Sequence, residues 1–374
     1  MSLFGLEHHD AVTMITMTSV IVFSLFLDLW AHRNDSDDGE VSIISASLWS
    51  LFWVLTSLAF YFFLQWNYAD DFFANGQKLN AEGQDVSTVI SAAFLAGYVL
   101  EKCLSVDNLM VFIAVFTYFR LHGNMQHRVL YFGILGAIVF RLIFVLAAGF
   151  LMRVGGYADI VFAVIIAWSA VKMLTSGHDD DGEDDYSQNK IVIWVNKVFS
   201  VFPKLDGHHF FVNAKRAEEL EKNDPEQEIK LSRPLASIYA TPAFVCLIVI
   251  ELSDVMFAFD SVPAVLGVVG NGGGLRSVAV SVVIYSSMIF AILGLRSLYF
   301  ILAVLNKYLV YLEKTVIGLL FFIAAKLAIE ALIKFGVEVP HALHISPIQS
   351  LWVVLGMLSV GIVASLLFAP KEAK

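Results

Sequence analysis

Long apolar runs separated by short polar stretches dominate the chain, and a few acids sit inside those runs. A helix needs about 20 mostly apolar residues to cross a bilayer. By that measure the pattern predicts nine spans, at 11–31, 44–66, 89–118, 129–152, 157–175, 240–269, 277–304, 308–335 and 350–369. The third and sixth are long enough to be tilted or broken. The expected fold class is therefore all-α, a polytopic membrane protein. One polar segment of size, 176–239, interrupts the series. It opens on GHDDDGEDD (177–185) and carries a charged stretch, AKRAEELEKNDPEQEIK (214–230). Like-charge blocks of that kind are solvated rather than packed.

Orientation follows from the bias of Lys and Arg toward cytoplasmic loops. Arg33, Arg120, Arg128, Lys307, Lys314, Lys371 and Lys374 fall at one set of span ends; Lys78, Arg153, Arg276 and Lys334 fall at the other. The richer set is placed in the cytoplasm, which puts the N-terminus outside, the C-terminus inside and the 176–239 loop in the cytoplasm. Trp30, Trp49 and Trp66 lie near span ends, as interfacial anchors do.

Composition sharpens the class. Of 374 residues 58% are hydrophobic and only 16% charged, against about 45–50% and 25% in soluble domains. The formal net charge of −10 gives no basic patch, so a nucleic-acid partner is not expected. Cys103 and Cys246 sit in apolar runs with no CxxC pair, which removes a thiolate metal site or disulfide framework.

An internal repeat organises the spans. VLEKCLSVDNLM (99–110) matches LSDVMFAFDSVP (252–263), aligning Glu101 with Asp254, Asp107 with Asp260 and Asn108 with Ser261. FGILG (132–136) then matches FAILG (290–294), and AVKML (170–174) matches AAKLA (324–328), in the same order. Each unit holds three spans, and an odd number inverts the second copy. Inverted repeats are a transporter architecture, with the substrate site near the midplane where the copies meet. The chain then divides into peripheral spans and an outer loop (1–88), a first repeat (89–175), the acidic loop (176–239), a second repeat (240–335) and a last span with a short tail (336–374).

Five acids fall inside the predicted spans: Glu101, Asp107, Glu251, Asp254 and Asp260. Charged and facing lipid, they would cost on the order of 12–18 kcal/mol, as much as the whole stability of an ordinary protein. They must be protonated, paired or bound to a cation. Arg141 and Arg296 are candidate partners, as are Lys172 and Lys326. Pro263 favours a helix break in the second copy, because proline removes a backbone hydrogen bond. With Asn108, Ser261, Ser105 and Ser253 the donor set is all oxygen, which suits Mg²⁺, Ca²⁺ or Mn²⁺. The candidate metal ligands are Glu101, Asp107, Asn108, Glu251, Asp254, Asp260 and Ser261. Asp28, beside His32 and Arg33, reads as interfacial.

EKCLSVDN (101–108), YATP (239–242), ELSDVMFAFDSVPAV (251–265) and FAILGLRSLYF (290–300) resemble the TerC family of bacterial integral membrane proteins, named for tellurite resistance. The resemblance spans roughly 90–335. It implies a cation exporter built on paired three-helix repeats in the inner membrane, with manganese export and metal homeostasis as roles and the five acids as the motif residues. The family pattern before FAILGLR reads TSN-x, whereas this chain has SSMI (286–289), with Met288 at the Asn position. GNGGG (270–274) and the stretch 214–230 also depart from the pattern.

Two functions compete. One is export of Mn²⁺ or a related divalent cation as substrate. The other is a membrane scaffold of a tellurium-resistance assembly that holds soluble partners through its cytoplasmic loop. Direct passage of tellurite is disfavoured, since an acidic midplane repels an anion. The GxGD pattern of intramembrane aspartyl proteases is absent, so the chain is read as a transporter without catalytic residues or a prosthetic group.

Overall fold

The computed structural model describes residues 8–31, 43–80, 82–121, 123–151, 155–175, 190–207, 209–222, 238–269, 275, 277–305, 311–340 and 343–367. The chain is mostly helical. Its first helices are α1 (His8–Ala31), α2 (Ile43–Asn67), α3 (Val86–Tyr118), α4 (Asn124–Leu151) and α5 (Gly156–Thr175), all long, and then the short α6 (Lys190–Val198) before a small hairpin. The hairpin pairs β1 (Phe211–Asn213) with β2 (Ile238–Ala240), antiparallel, and the short helix α7 (Ala214–Lys222) follows β1 directly. Then come α8 (Pro242–Val269), α9 (Ser277–Ile292), α10 (Leu295–Leu305), α11 (Leu312–Lys334) and α12 (Pro347–Leu367).

Six helices are long and apolar enough to cross a membrane: α2, α4, α5, α8, α11 and α12. The pair α9–α10, bent by 46° at a short break, makes a seventh if it counts as one span. These seven fall on seven of the nine predicted segments. The other two segments are occupied by α1 and α3. In α3 the charges of Glu101, Lys102 and Asp107 interrupt the apolar run. The acidic blocks 177–185 and 223–230, the GNGGG stretch 270–274 and the C-terminal lysines lie outside the described residues, as does the Asp28 side chain.

Pro263 does not break its helix. α8 runs unbroken from Pro242 to Val269 with Pro263 inside it, contrary to the sequence expectation. The missing N–H strands one carbonyl, that of Phe259. The surrounding residues, Ser261 to Val269, are all buried, so packing holds the helical path. The break falls in the next segment instead. Gly294 has φ +81°, a left-handed conformation that glycine adopts without the clash a Cβ brings. Trp53 of α2 fills the space beside it, its Cδ1 at 2.5 Å from where a Cβ would stand.

Packing pairs the helices in a reciprocal way. α3 lies against α8, α5 against α11, α4 against α8 and α9 against α3. Two apolar cores result, and the three central helices pass through both. On α3 the first core takes Leu100 and Leu104 and the second begins at Leu109. On α4 the second core ends at Ala137 and the first resumes at Val145. On α8 the second ends at Ile250 and the first begins at Val262. The intervals between hold Ser105 and Asn108 of α3, Arg141 of α4 and Glu251, Ser253, Asp254, Asp260 and Ser261 of α8, with Glu101 of α3 just inside the first core's stretch, and this layer is the seam.

The start of α8 explains YATP. Tyr239 is buried in a small third core with Phe202, Val212 and Ala217. Thr241 Oγ1 donates to the carbonyls of His209 (2.9 Å) and Phe210 (3.2 Å). Pro242 then opens the helix, where its missing N–H costs nothing.

Candidate functional site

Arg141, in the middle of α4, is the largest fully buried side chain among the described residues. Its guanidinium donates through Nη1 to Glu101 Oε1 of α3 and lies 3.5 Å through Nη2 from Asp254 Oδ1 of α8. Glu101 is fully buried and Asp254 is 5% exposed. The two acids that align in the sequence repeat thus meet in space, each on one terminal nitrogen of the same cation. Three helices must hold their register for this to occur, and the two flanking apolar cores supply that register.

Glu251 stands one turn before Asp254 on α8. Its carboxylate lies against the backbone of α4 at Gly136, both oxygens in the space a Cβ would take. Any larger residue there would have to turn the Glu251 carboxylate aside. Asp260 points elsewhere: Ser169 Oγ of α5 donates to its Oδ1 at 2.5 Å. It sits six residues beyond Asp254, about 9 Å along the helix at 1.5 Å per residue. Asn108 and Ser261, the aligned polar pair, are both buried. Ser105 and Ser253 donate to carbonyls of their own helices, Glu101 at 2.7 Å and Val249 at 2.8 Å. The side chain of Asp107 lies outside the described residues.

The seam is electrically paired without being saturated. Glu101 Oε2, Asp254 Oδ2, Glu251 Oε2, Ser261 Oγ and Arg141 Nε are all buried without a hydrogen-bond partner among the described residues. Each such atom costs about 1–3 kcal/mol. Among the described residues no group of three or more His, Cys, Asp or Glu side chains stands ready to hold a metal ion. Arg141 occupies the space between the Glu101 and Asp254 carboxylates.

Of the other cations named from sequence, Lys326 is 2% exposed and donates to Val268 O (2.8 Å) and Ser350 Oγ (3.0 Å), with Glu330 Oε1 at 3.7 Å. Lys172, its aligned counterpart, is exposed. Arg296 is buried beside His127 of α4, its Nε donating to His127 Nδ1 at 2.8 Å.

Sequence reasoning passed over Lys102. Its Nζ donates to the carbonyls of Ala291 (3.0 Å) and Leu293 (3.3 Å), the groups left open where α9 gives way to α10. A lysine inside an apolar run, next to Glu101, was the available signal. It also passed over Asp159, which is fully buried at the start of α5 and paired with Lys334 of α11 at 2.6 Å.

The model of the integral membrane protein TerC family matches residues 86–373. A protein of Serratia marcescens named Tellurium resistance protein TerC is 44% identical over 360 residues, which are 96% of this chain and 94% of its own. One of the same name from Alcaligenes sp is 42% identical over 362 residues, 96% of this chain and 95% of its own. Alx of Escherichia coli (strain K12), whose name offers it as a candidate membrane-bound redox modulator, is 32% identical over 76% of this chain and 75% of its own. No solved structure matches the chain.

Proposed function

This chain belongs to the integral membrane protein TerC family, and from that premise we propose that it exports a divalent cation, Mn²⁺ first among the candidates, across the bacterial inner membrane. The observation that carries the reading is the meeting of Glu101 and Asp254, aligned acids of two repeats, in a buried seam between two apolar cores. Intramembrane acids are costly and mark ion pathways. Unpaired carboxylate oxygens suit a hard divalent ion. Asp107, Asn108, Glu251, Asp260 and Ser261 complete the set of candidate ligands, with Asp260 about 9 Å along α8 from Asp254.

In this reading α1 and α3 also cross the bilayer, giving nine spans with the N-terminus outside and the C-terminus in the cytoplasm. The spans α3–α5 and α8–α11 form two inverted copies. The reciprocal packing supports it: exchanging the copies sends the α4–α8 contact to the α9–α3 contact and leaves α3–α8 and α5–α11 unchanged. Export would proceed by alternating access of one copy against the other. Tellurium resistance, which the names of the Serratia and Alcaligenes relatives carry, would follow from metal balance.

The test is Mn²⁺ flux in proteoliposomes. Asp107→Asn and Asp260→Asn are expected to lower flux at least about tenfold, the loss of one charge-assisted contact. Flux equal to the parent's would sink the export reading. A second reading has one observation behind it. β1, β2 and α7 fold around their own core of Phe202, Val212, Ala217 and Tyr239, a platform suited to a soluble partner in a tellurium-resistance assembly. Deleting 214–230 would abolish resistance while sparing flux if that reading holds.

A further inference from the structure

The buried ion pair at the centre of the seam leaves polar atoms open, as the Asp159 and Glu330 carboxylates of α5 and α11 also do; what sets it apart is that two carboxylates from two helices share one guanidinium. Its charges are matched in space, yet one oxygen of Glu101, one of Asp254 and the Nε of Arg141 have no hydrogen-bond partner among the described residues. A buried ion pair repays its desolvation only when its remaining polar atoms are satisfied. Two carboxylates also face one guanidinium, so the cluster keeps a surplus negative charge. The arrangement holds a cation, but one of lower charge and poorer fit than an oxygen-seeking divalent ion.

We propose that Arg141 is a built-in stand-in for the transported cation: its guanidinium neutralises Glu101 and Asp254 when the carrier is empty and leaves them when a divalent ion arrives. This rests on the export reading and deepens it. The ion and the guanidinium compete for the same two carboxylates, so each weakens the other's hold. The empty carrier would otherwise bury two bare carboxylates as it reorients, at a cost that would stall it. With Arg141 seated, the empty carrier can return, and export needs no counter-ion in the central site. Arg141 is thus a positioning residue for the return step rather than a ligand of the cargo.

The test separates net flux from exchange, using full-length protein in proteoliposomes and Mn²⁺ as the probe. Net efflux into Mn²⁺-free buffer requires the empty carrier to return. Isotope exchange, with Mn²⁺ on both sides, does not. Arg141→Gln is expected to bind Mn²⁺ about tenfold more tightly by calorimetry, the effect of removing a competing charge. It is expected to keep exchange within about threefold of the parent and to lose net efflux by at least about tenfold. Arg141→Lys keeps the charge and is expected to retain net efflux within about threefold.

Unchanged or weaker Mn²⁺ binding by Arg141→Gln would overturn the proposal. So would exchange and net efflux falling together, or net efflux lost equally in the lysine variant. Should Arg141→Gln not yield monodisperse protein, the lysine variant decides alone. A point charge that grips two carboxylates less well is expected to leave Mn²⁺ binding about threefold tighter, and binding no tighter than the parent's overturns the idea. A parent protein that neither binds nor exchanges Mn²⁺ would sink the export reading and this proposal with it; every other outcome bears on Arg141 alone.

Discussion

Gly136 shows how closely the seam is fitted at the level of a single atom. A methyl group there would coincide with the Glu251 carboxylate. Gly136→Ala is therefore expected to displace the Glu251 carboxylate and to destabilise the protein by about 1 kcal/mol, the low end of the range for overpacking, because the end of a flexible side chain can turn aside. Thermal unfolding of the detergent-purified protein checks this. The cause is testable by a double variant: adding Glu251→Ala removes the obstructing atoms, so the two changes together should cost less than their sum. At this scale the sequence was partly readable. The acids Glu101 and Asp254 announced themselves by cost and by alignment, but the sequence left Arg141, Arg296, Lys172 and Lys326 all open as partners, and only the packing of α4 selects Arg141. The role of Gly136 was not readable, because nothing in a chain reveals which backbone a distant side chain will touch. Asp260 could join the other acids only if α8 broke between them, and the unbroken helix turns it toward Ser169 of α5 instead.

Among elements, the bend between α9 and α10 is the feature that local sequence misplaced. Pro263 drew attention as the residue with an intrinsic helix-breaking cost, yet α8 absorbs it in a fully packed environment. Gly294 carries the break because three elements support it there: its own positive φ, Trp53 of α2 beside it, and the Lys102 amine of α3 on the freed carbonyls. These are tertiary contacts, invisible to periodicity. Lys102→Met is expected to cost about 1.5–3 kcal/mol, the worth of hydrogen bonds from a charged donor. Lys102→Arg should recover part of it, since it restores a cationic donor near the same carbonyls. Unfolding midpoints of the three proteins decide the matter; no loss in Lys102→Met would mean that the carbonyls find other donors. Seven of the nine predicted spans were legible because lipid demands long apolar runs, and the predicted boundaries of α5 and α8 fall within two residues of the observed ones.

For the molecule as a whole, two apolar cores are joined through the polar layer around Arg141. α5 and α11 are joined by Lys334 and Asp159. In the proposed orientation this pair lies at the outer surface. The small β1–β2 unit then lies on the inner side, along with the basic span ends. Cysteine labelling tests that arrangement. With Cys103 and Cys246 replaced, Lys215→Cys in α7 should react only from the cytoplasmic side and Asn75→Cys, beyond α2, only from outside; the reverse result would invert the topology. Asp159→Asn should loosen the α5–α11 contact and lower the unfolding midpoint. The magnitude is about 1–3 kcal/mol, because Lys334 is 24% exposed and can turn to solvent.

The bend at Gly294 has no partner in α4, which continues from Asn124 to Leu151 without interruption. A rocking motion would therefore flex at a ready-made knee on one side and bear on a straight rod on the other. Opening toward one compartment and opening toward the other would be different mechanical events, with separate barriers. Such unevenness would give the cycle a slow stroke and a fast one even where the chemistry of the two sides is alike.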